Sequence, residues 1–255
     1  MRAFLAGARV QLRFIRAYPD ALIPFFTAPL FTVIFMTIFR HAGRQDLTSY
    51  AAIAPVFIAL WWLALFQSGW VIQTDRWSGT IELLVAAPSS FAANVLGRIV
   101  ATTMLGVISF AETWLVARLI FGSVVTIHHL WTFFATVLVT LAAMAGTAVV
   151  MASLFVLTRS AATFSNSASY PFYVLGGILV PVSLLPSWLR PISAAVFLSW
   201  SADLLRASLR PGGIHHLAFR LGMVGLLGAC GFVAGALLLT WILRRVRGNG
   251  ELAHT

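Results

Sequence analysis

The chain has 255 residues, 60% of them hydrophobic and only 9% charged, where an average soluble domain carries about a quarter charged residues. A mean hydropathy of +0.93 excludes an ordinary soluble enzyme or binding domain, and the +10 formal charge comes from arginines scattered singly at the ends of apolar runs, which excludes a nucleic-acid-binding patch. The single cysteine, Cys230, excludes an internal disulfide and a CxxC metal site, and the complete absence of lysine excludes a Walker A loop, so any ATP must be bound by another chain.

In chain order, residues 1–18 interleave Phe4, Leu5, Ala8, Leu12 and Ile15 with Arg2, Arg9, Arg13 and Arg16. This pattern predicts an amphipathic basic helix in the membrane interface, and the arginines interrupt any signal-peptide core. Ala21 to Phe39 is long enough to cross a bilayer, with Pro24 and Pro29 bending its early turns. After the polar loop Arg40 to Ser49, a second span runs from Ala51 to about Val71 and carries Trp61, Trp62 and Trp70.

A polar island follows at residues 75–90, from Asp75 to Ser90. Ser78 and Gly79 break the preceding helix, Thr80 to Ala87 suit about two new turns, and Pro88 ends them. Ile81, Leu84 and Val85 form an apolar stripe at i, i+3 and i+4, while Glu82 sits where the helix dipole favours an anion. By pattern alone this is either a docking helix or an ordinary interhelical loop resting on the bilayer. The residues Arg76, Gly79, Thr80, Glu82, Leu83 and Pro88, with Arg98 early in the next apolar run, resemble the "(E/R)-x-x-G-T-(L/I)-E-x-L-x-x-x-P" segment of type-2 ATP-binding cassette (ABC-2) exporter permeases. The resemblance implies that Arg76, Gly79, Thr80, Ile81, Glu82, Leu83, Leu84 and Pro88 couple the chain to an ATPase subunit. It also implies that residues 1–18 form an interfacial elbow helix. Asp75-Arg76 stands where many relatives have a glutamate and a basic residue.

The third span is expected from about Ala92 to Phe121, tilted or reaching into the cytoplasm around Arg98. Within it, Glu112 has two open readings: it lines the translocation path, or it lies near the outer headgroups paired with an arginine such as Arg118. His128 and His129 fall in an outer loop without other ligand-type residues and make a poor metal signature. Leu130 to Leu157 is the fourth span, Ser160 to Ser169 a polar connection, and about Tyr170 to Leu185 the fifth span.

Residues 184–210 are punctuated by Pro186 and Pro191, and their apolar pieces, Trp188 to Ile192 and Ala194 to Leu205, are too short to span. A re-entrant helical pair entering from outside fits this pattern. Its residues are similar to the ABC-2 "P-x-W-(L/M)-x-x" and "P-(L/V)-(T/S)-(Y/W)-x-x-(D/E)-x-(L/I)-R" segments, which implies an outer gate including Pro186, Trp188, Trp200, Asp203 and Arg206. Phe197 occupies the position where proline is usual. The last span is Leu217 to Leu243, with a GxxxG spacing from Gly231 to Gly235.

The expected fold is therefore an all-α integral membrane domain over residues 1–255, with an N-terminal interfacial helix, about six spans, and a re-entrant hairpin between spans five and six. Ten arginines fall inside and five outside, which places both termini in the cytoplasm. The resemblance implies a permease without catalytic residues, metal or bound cofactor of its own. ATP and Mg belong on two partner ATPase subunits, the second permease is another copy or a sister chain, and the remaining partner is membrane lipid. It implies export of a drug-like, lipid or glycan substrate, and compact length favours the drug and natural-product branch. The arginine- and alanine-rich composition suits a bacterial inner membrane. An ion-coupled secondary transporter and an intramembrane lipid-modifying enzyme are the alternatives.

Overall fold

The computed structural model describes residues 2–17, 23–43, 48–67, 79, 91–123, 125–157 and 161–249. The described residues are helical, without strands. The helices are α1 (Arg2–Ala17), α2 (Ile23–His41), α3 (Thr48–Trp62), α4 (Phe91–Leu105), α5 (Ile108–Leu119), α6 (Leu130–Leu157), α7 (Ala161–Leu175), α8 (Arg190–Ala194), α9 (Phe197–Ser208) and α10 (Leu217–Asn249). A wide π turn, Leu63–Gln67, extends α3, and a 3-10 turn, Val182–Leu184, precedes α8.

Small residues decide where these helices touch. Lipid tails are as apolar as leucine, so helices in a bilayer gain by close approach rather than by escaping water. α1 lies on α4 along Gly7, Gln11 and Ile15, which are buried one turn apart. A Cβ at Gly7 would strike the Asn94 carbonyl, and one at Gly97 would strike the Phe4 carbonyl, so both helix backbones meet with nothing between them. Leu5, Val10 and Leu12 face away from this seam and stay exposed. α6 and α10 form the most extensive pair, with Gly146, Gly228 and Gly235 against the opposite backbone. The Gly231 to Gly235 spacing thus serves packing within the chain.

Among the described residues three stretches are long and apolar enough to cross a membrane: Ala93–Leu119, Leu130–Leu154 and Leu217–Trp241. Phe26–His41 and Ser49–Leu65 are shorter apolar helices. α10 leaves Leu226, Val233, Leu237 and Trp241 uncovered on its outer face, as a lipid-facing helix does.

One expected boundary needs correction, and one span contains a break. The third apolar stretch stands as a span-length segment, Ala93–Leu119, but Gly106 and Val107 form a turn within it between α4 and α5, and the Leu60 side chain fills the space a Cβ at Gly106 would need. The N–H groups of Gly106 and Val107 reach carbonyls only three residues back, at 3.1 and 3.2 Å, which tightens the chain there. The polar run before the fifth apolar segment is helical from Ala161, and α7 stops at Leu175 instead of continuing to Leu185. Gly177, at φ +63, allows the left-handed turn that ends it.

Contacts sort the bundle into two ends. At one, Arg40 donates to the Phe121 carbonyl at 3.4 Å, Arg210 to Ser49 Oγ at 3.4 Å, and the His128 and His129 N–H groups to the Ser208 carbonyl at 3.0 Å. α3 starts at that end and runs away from it to Gln67; α4 and α5 return from Phe91 to Leu119. The residues flanking positions 68–90 therefore sit at the opposite end from α9.

Candidate functional site

Of the expected coupling residues only Gly79 is described, in an exposed turn with φ +65, which suits glycine and a helix break. Arg76, Thr80, Ile81, Glu82, Leu83, Leu84 and Pro88 lie outside the described residues. The flanks are better defined. The helix leading in carries a π turn at Leu63–Gln67, and α4, leading out, carries α1 on its first turns. Arg98 is buried there at 4% exposure, with its Nε 3.2 Å from Gln11 Oε1, so it belongs to the α1 seam rather than to a solvated cytoplasmic extension.

Glu112 lies on α5, half-buried, and its Oε2 is enclosed without a hydrogen-bond partner. Arg118 stacks on Trp114, with 5.5 Å from guanidinium to ring, and the expected Glu112 to Arg118 pair is not formed. An apolar cavity of about 310 Å³ lies beside α5 and is lined by Ile53, Phe110, Ala111, Thr113, Trp114 and Leu209 among others, without Glu112. Glu112→Gln is expected to stabilise the detergent-purified protein by about 1 kcal/mol, raising its unfolding midpoint by roughly 2–4 °C, because it removes an ionisable oxygen that no donor meets. Tryptophan fluorescence on heating reads this directly, and a fall in the midpoint would show that a donor holds the carboxylate.

At the α9 end the residues come together into a polar cup. Arg190 secures the loop before α8 by donating to the carbonyls of Leu185 at 3.0 Å and Ser183 at 2.9 Å. Ser193 Oγ donates to the Leu175 carbonyl at 2.5 Å, Ser199 Oγ to the Ser193 carbonyl at 2.8 Å, and Trp200 Nε1 to the Ala194 carbonyl at 2.8 Å. These bonds tie α7, α8 and α9 into one unit. Phe197 is the first residue of α9 and is buried, with Val196 extended before it. Asp203 pairs with Arg220 of α10.

Arg206 is the centre of the cup. It is 4% exposed, donates to the Ile178 carbonyl at 3.1 Å, and lies 3.9 Å over the Tyr50 ring. Burial lowers its pKa to about 10, with Tyr50 and Asp203 opposing that shift, so the guanidinium remains charged at neutral pH. Its Nε–H has no acceptor. Trp200, Asp203 and Arg206 share the wall of an approximately 330 Å³ cavity with Tyr50, Arg190 and Ser199. Pro186 and Trp188 are exposed and outside that wall. Sequence reasoning missed Tyr50, Arg190 and Arg210. The signal for Arg210 was present, because Asp203, Arg206 and Arg210 recur at helical spacing; Tyr50 comes from a distant element and left no such trace.

Among the described residues no group of three or more His, Cys, Asp or Glu side chains is placed to hold a metal ion. His129, from the loop, makes a 2.6 Å hydrogen bond with the Gly212 carbonyl.

No curated protein matches the chain. Residues 3–209 match the sequence model of a family described as ABC-2 type transporter, and this match takes in α1, both flanks of the 68–90 segment, and the α7 to α9 unit, leaving α10 beyond it. The chain belongs to the ABC-2 type transporter family, the membrane components of ABC transporters that work with an ATP-binding subunit.

Proposed function

We propose that this chain is the permease subunit of an ATP-driven exporter in a bacterial inner membrane. It crosses the bilayer about six times with both termini in the cytoplasm, α1 lies in the inner interface, and α8 and α9 form a re-entrant hairpin at the outer face. Two permeases, either two copies or a copy and a sister chain, work with two ATPase subunits that bind ATP and Mg. The cargo is a drug-like, lipid or glycan molecule.

The observation that carries this reading is the separation of the two regions along the bundle. The helix ends flanking residues 68–90 lie opposite the α9 cup, which suits a machine driven from one face and opened at the other. Closure of the ATPase pair would push on the segment holding Arg76, Gly79 to Leu84 and Pro88. That push reaches α3 through its π turn and α4 directly, and α4 carries α1 with it. The turn at Gly106 and Val107 lets α4 move without forcing α5. The outer hairpin, with Pro186, Trp188, Trp200, Asp203 and Arg206, is the gate at the far end, and Glu112 contributes a carboxylate to the path.

The test is co-purification in detergent with a candidate ATPase, preferably one encoded beside the gene, comparing the unaltered chain with Glu82→Arg. The expected result is a stable complex whose association weakens at least tenfold on charge reversal, about the loss that follows when a charged contact becomes a repulsion. If no ATPase associates and the isolated protein still moves solute along an ion gradient, the secondary-transporter reading replaces this one.

A further inference from the structure

The cup around Arg206 continues past α9. A second cavity of about 210 Å³ shares Tyr50, Asp203 and Arg206 with the first and adds Arg210. Three arginines thus line the joined space: Arg190, Arg206 and Arg210. Their hydrogen-bond acceptors are neutral. Arg190 and Arg206 donate to main-chain carbonyls and Arg210 to Ser49 Oγ, while Arg206 and Arg210 also face the Tyr50 ring. The one carboxylate in the walls, Asp203, is held by Arg220. With three arginines against Asp203 the walls keep an excess of two positive charges, and Arg206 is more than nine-tenths buried with its Nε–H unmet. Asp203 is exposed and paired with Arg220, so it offsets the buried Arg206 only in part; a buried guanidinium with an unmet N–H is costly, and arginine's fork matches phosphate oxygens.

The apolar cavity beside α5 and this cup share no lining residue, but neighbouring residues line the two. Leu209 lines the apolar cavity and Arg210, the next residue, lines the charged one; Ile53 lines the first and Tyr50, one turn earlier on α3, the second. A charged cup beside an apolar cavity suits an amphiphile. The strongly exposed tryptophans Trp131 and Trp188 belong to the same end of the bundle, as aromatic residues at headgroup level do.

We propose that this composite site binds one anionic phospholipid, its phosphate on Arg206 and Arg210 with Arg190 at the rim, and its acyl chain in the apolar cavity between α3 and α5. The site is independent of the direction of transport and of the cargo. A lipid held there cross-links the first residues of α3, the α8 to α9 unit and α5.

Native mass spectrometry of the detergent-purified full chain, titrated with phosphatidylglycerol and with phosphatidylcholine of the same acyl chains, tests this. Phosphatidylglycerol is expected to bind at least tenfold more tightly. Arg210→Gln, at an exposed position, should weaken phosphatidylglycerol about tenfold and remove the preference, whereas Arg210→Lys should keep most of it. Ala111→Phe, also at an exposed position, fills the apolar cavity and should weaken phosphatidylglycerol about tenfold without changing the weak binding of sn-glycerol 3-phosphate. Equal binding of the two lipids, or no effect of Arg210→Gln, would overturn the proposal. Binding of sn-glycerol 3-phosphate as tight as that of phosphatidylglycerol, indifferent to Ala111→Phe, would replace it with a site for soluble phosphorylated molecules.

Discussion

Gly97→Leu is expected to unseat α1 from α4 and to lower stability by more than about 3 kcal/mol, enough to remove most monodisperse protein from a size-exclusion profile. The argument is geometric. The space that a Cβ would need at Gly97 is taken by the Phe4 carbonyl, with the Ala8 amide nitrogen 3.1 Å away. Backbone cannot rotate aside as a side chain can, so α1 itself must retreat. Its retreat would strip Gln11 from Arg98 and leave a buried guanidinium to find water or other protein groups. Gly97→Ala presents the same clash with fewer atoms and should lose about 1–3 kcal/mol. Surviving Gly97→Ala protein should show faster hydrogen exchange over residues 2–17 with little change in α6 and α10. Uniform loosening of every helix would show that the seam is not the local element described here.

The second large effect is at the α6 and α10 seam. Gly228→Leu should destabilise by more than about 3 kcal/mol, because a Cβ there would lie 2.5 Å from the Ala143 Cβ and 2.7 Å from its Cα. This clash, unlike the one at Gly97, includes a removable atom. Gly228→Ala alone should lower the unfolding midpoint, and Ala143→Gly in the same chain should restore part of it, since the methyl group is moved from one helix to the other. A double-mutant cycle measures that coupling, expected at about 1 kcal/mol or more. Additive effects would mean that the helices shift apart freely and that the seam is not close-packed. No such rescue is available at Gly97, where the obstacle is main chain.

These predictions mark where sequence reasoning ran out. The start of the helix at Leu130 was read to the residue because a long apolar run preceded by polar residues specifies a buried or membrane helix through length alone. The short pair α8 and α9 was legible because Pro186 and Pro191 bound pieces too short to cross a bilayer. The family followed from motif residues close together in the chain, where spacing carries the information. By contrast, Tyr50 and Arg206 are 156 positions apart in numbering and meet ring to guanidinium, and Asp203 finds Arg220 across a turn between two helices.

The sequence by itself determined that this chain is a helical membrane protein, where most of its apolar helices lie, and which family it belongs to. It did so because hydrophobic length, proline placement and motif spacing are local properties. The tertiary structure alone decided which helix faces touch, that the third apolar stretch breaks at Gly106, that α7 ends at Leu175, and that three arginines gather around Tyr50. A helix that is apolar on every side has no amphipathic stripe to announce its inner face. What selects that face is the fit of glycine against backbone and of charge against a neutral ring, and both partners exist only once the helices are packed.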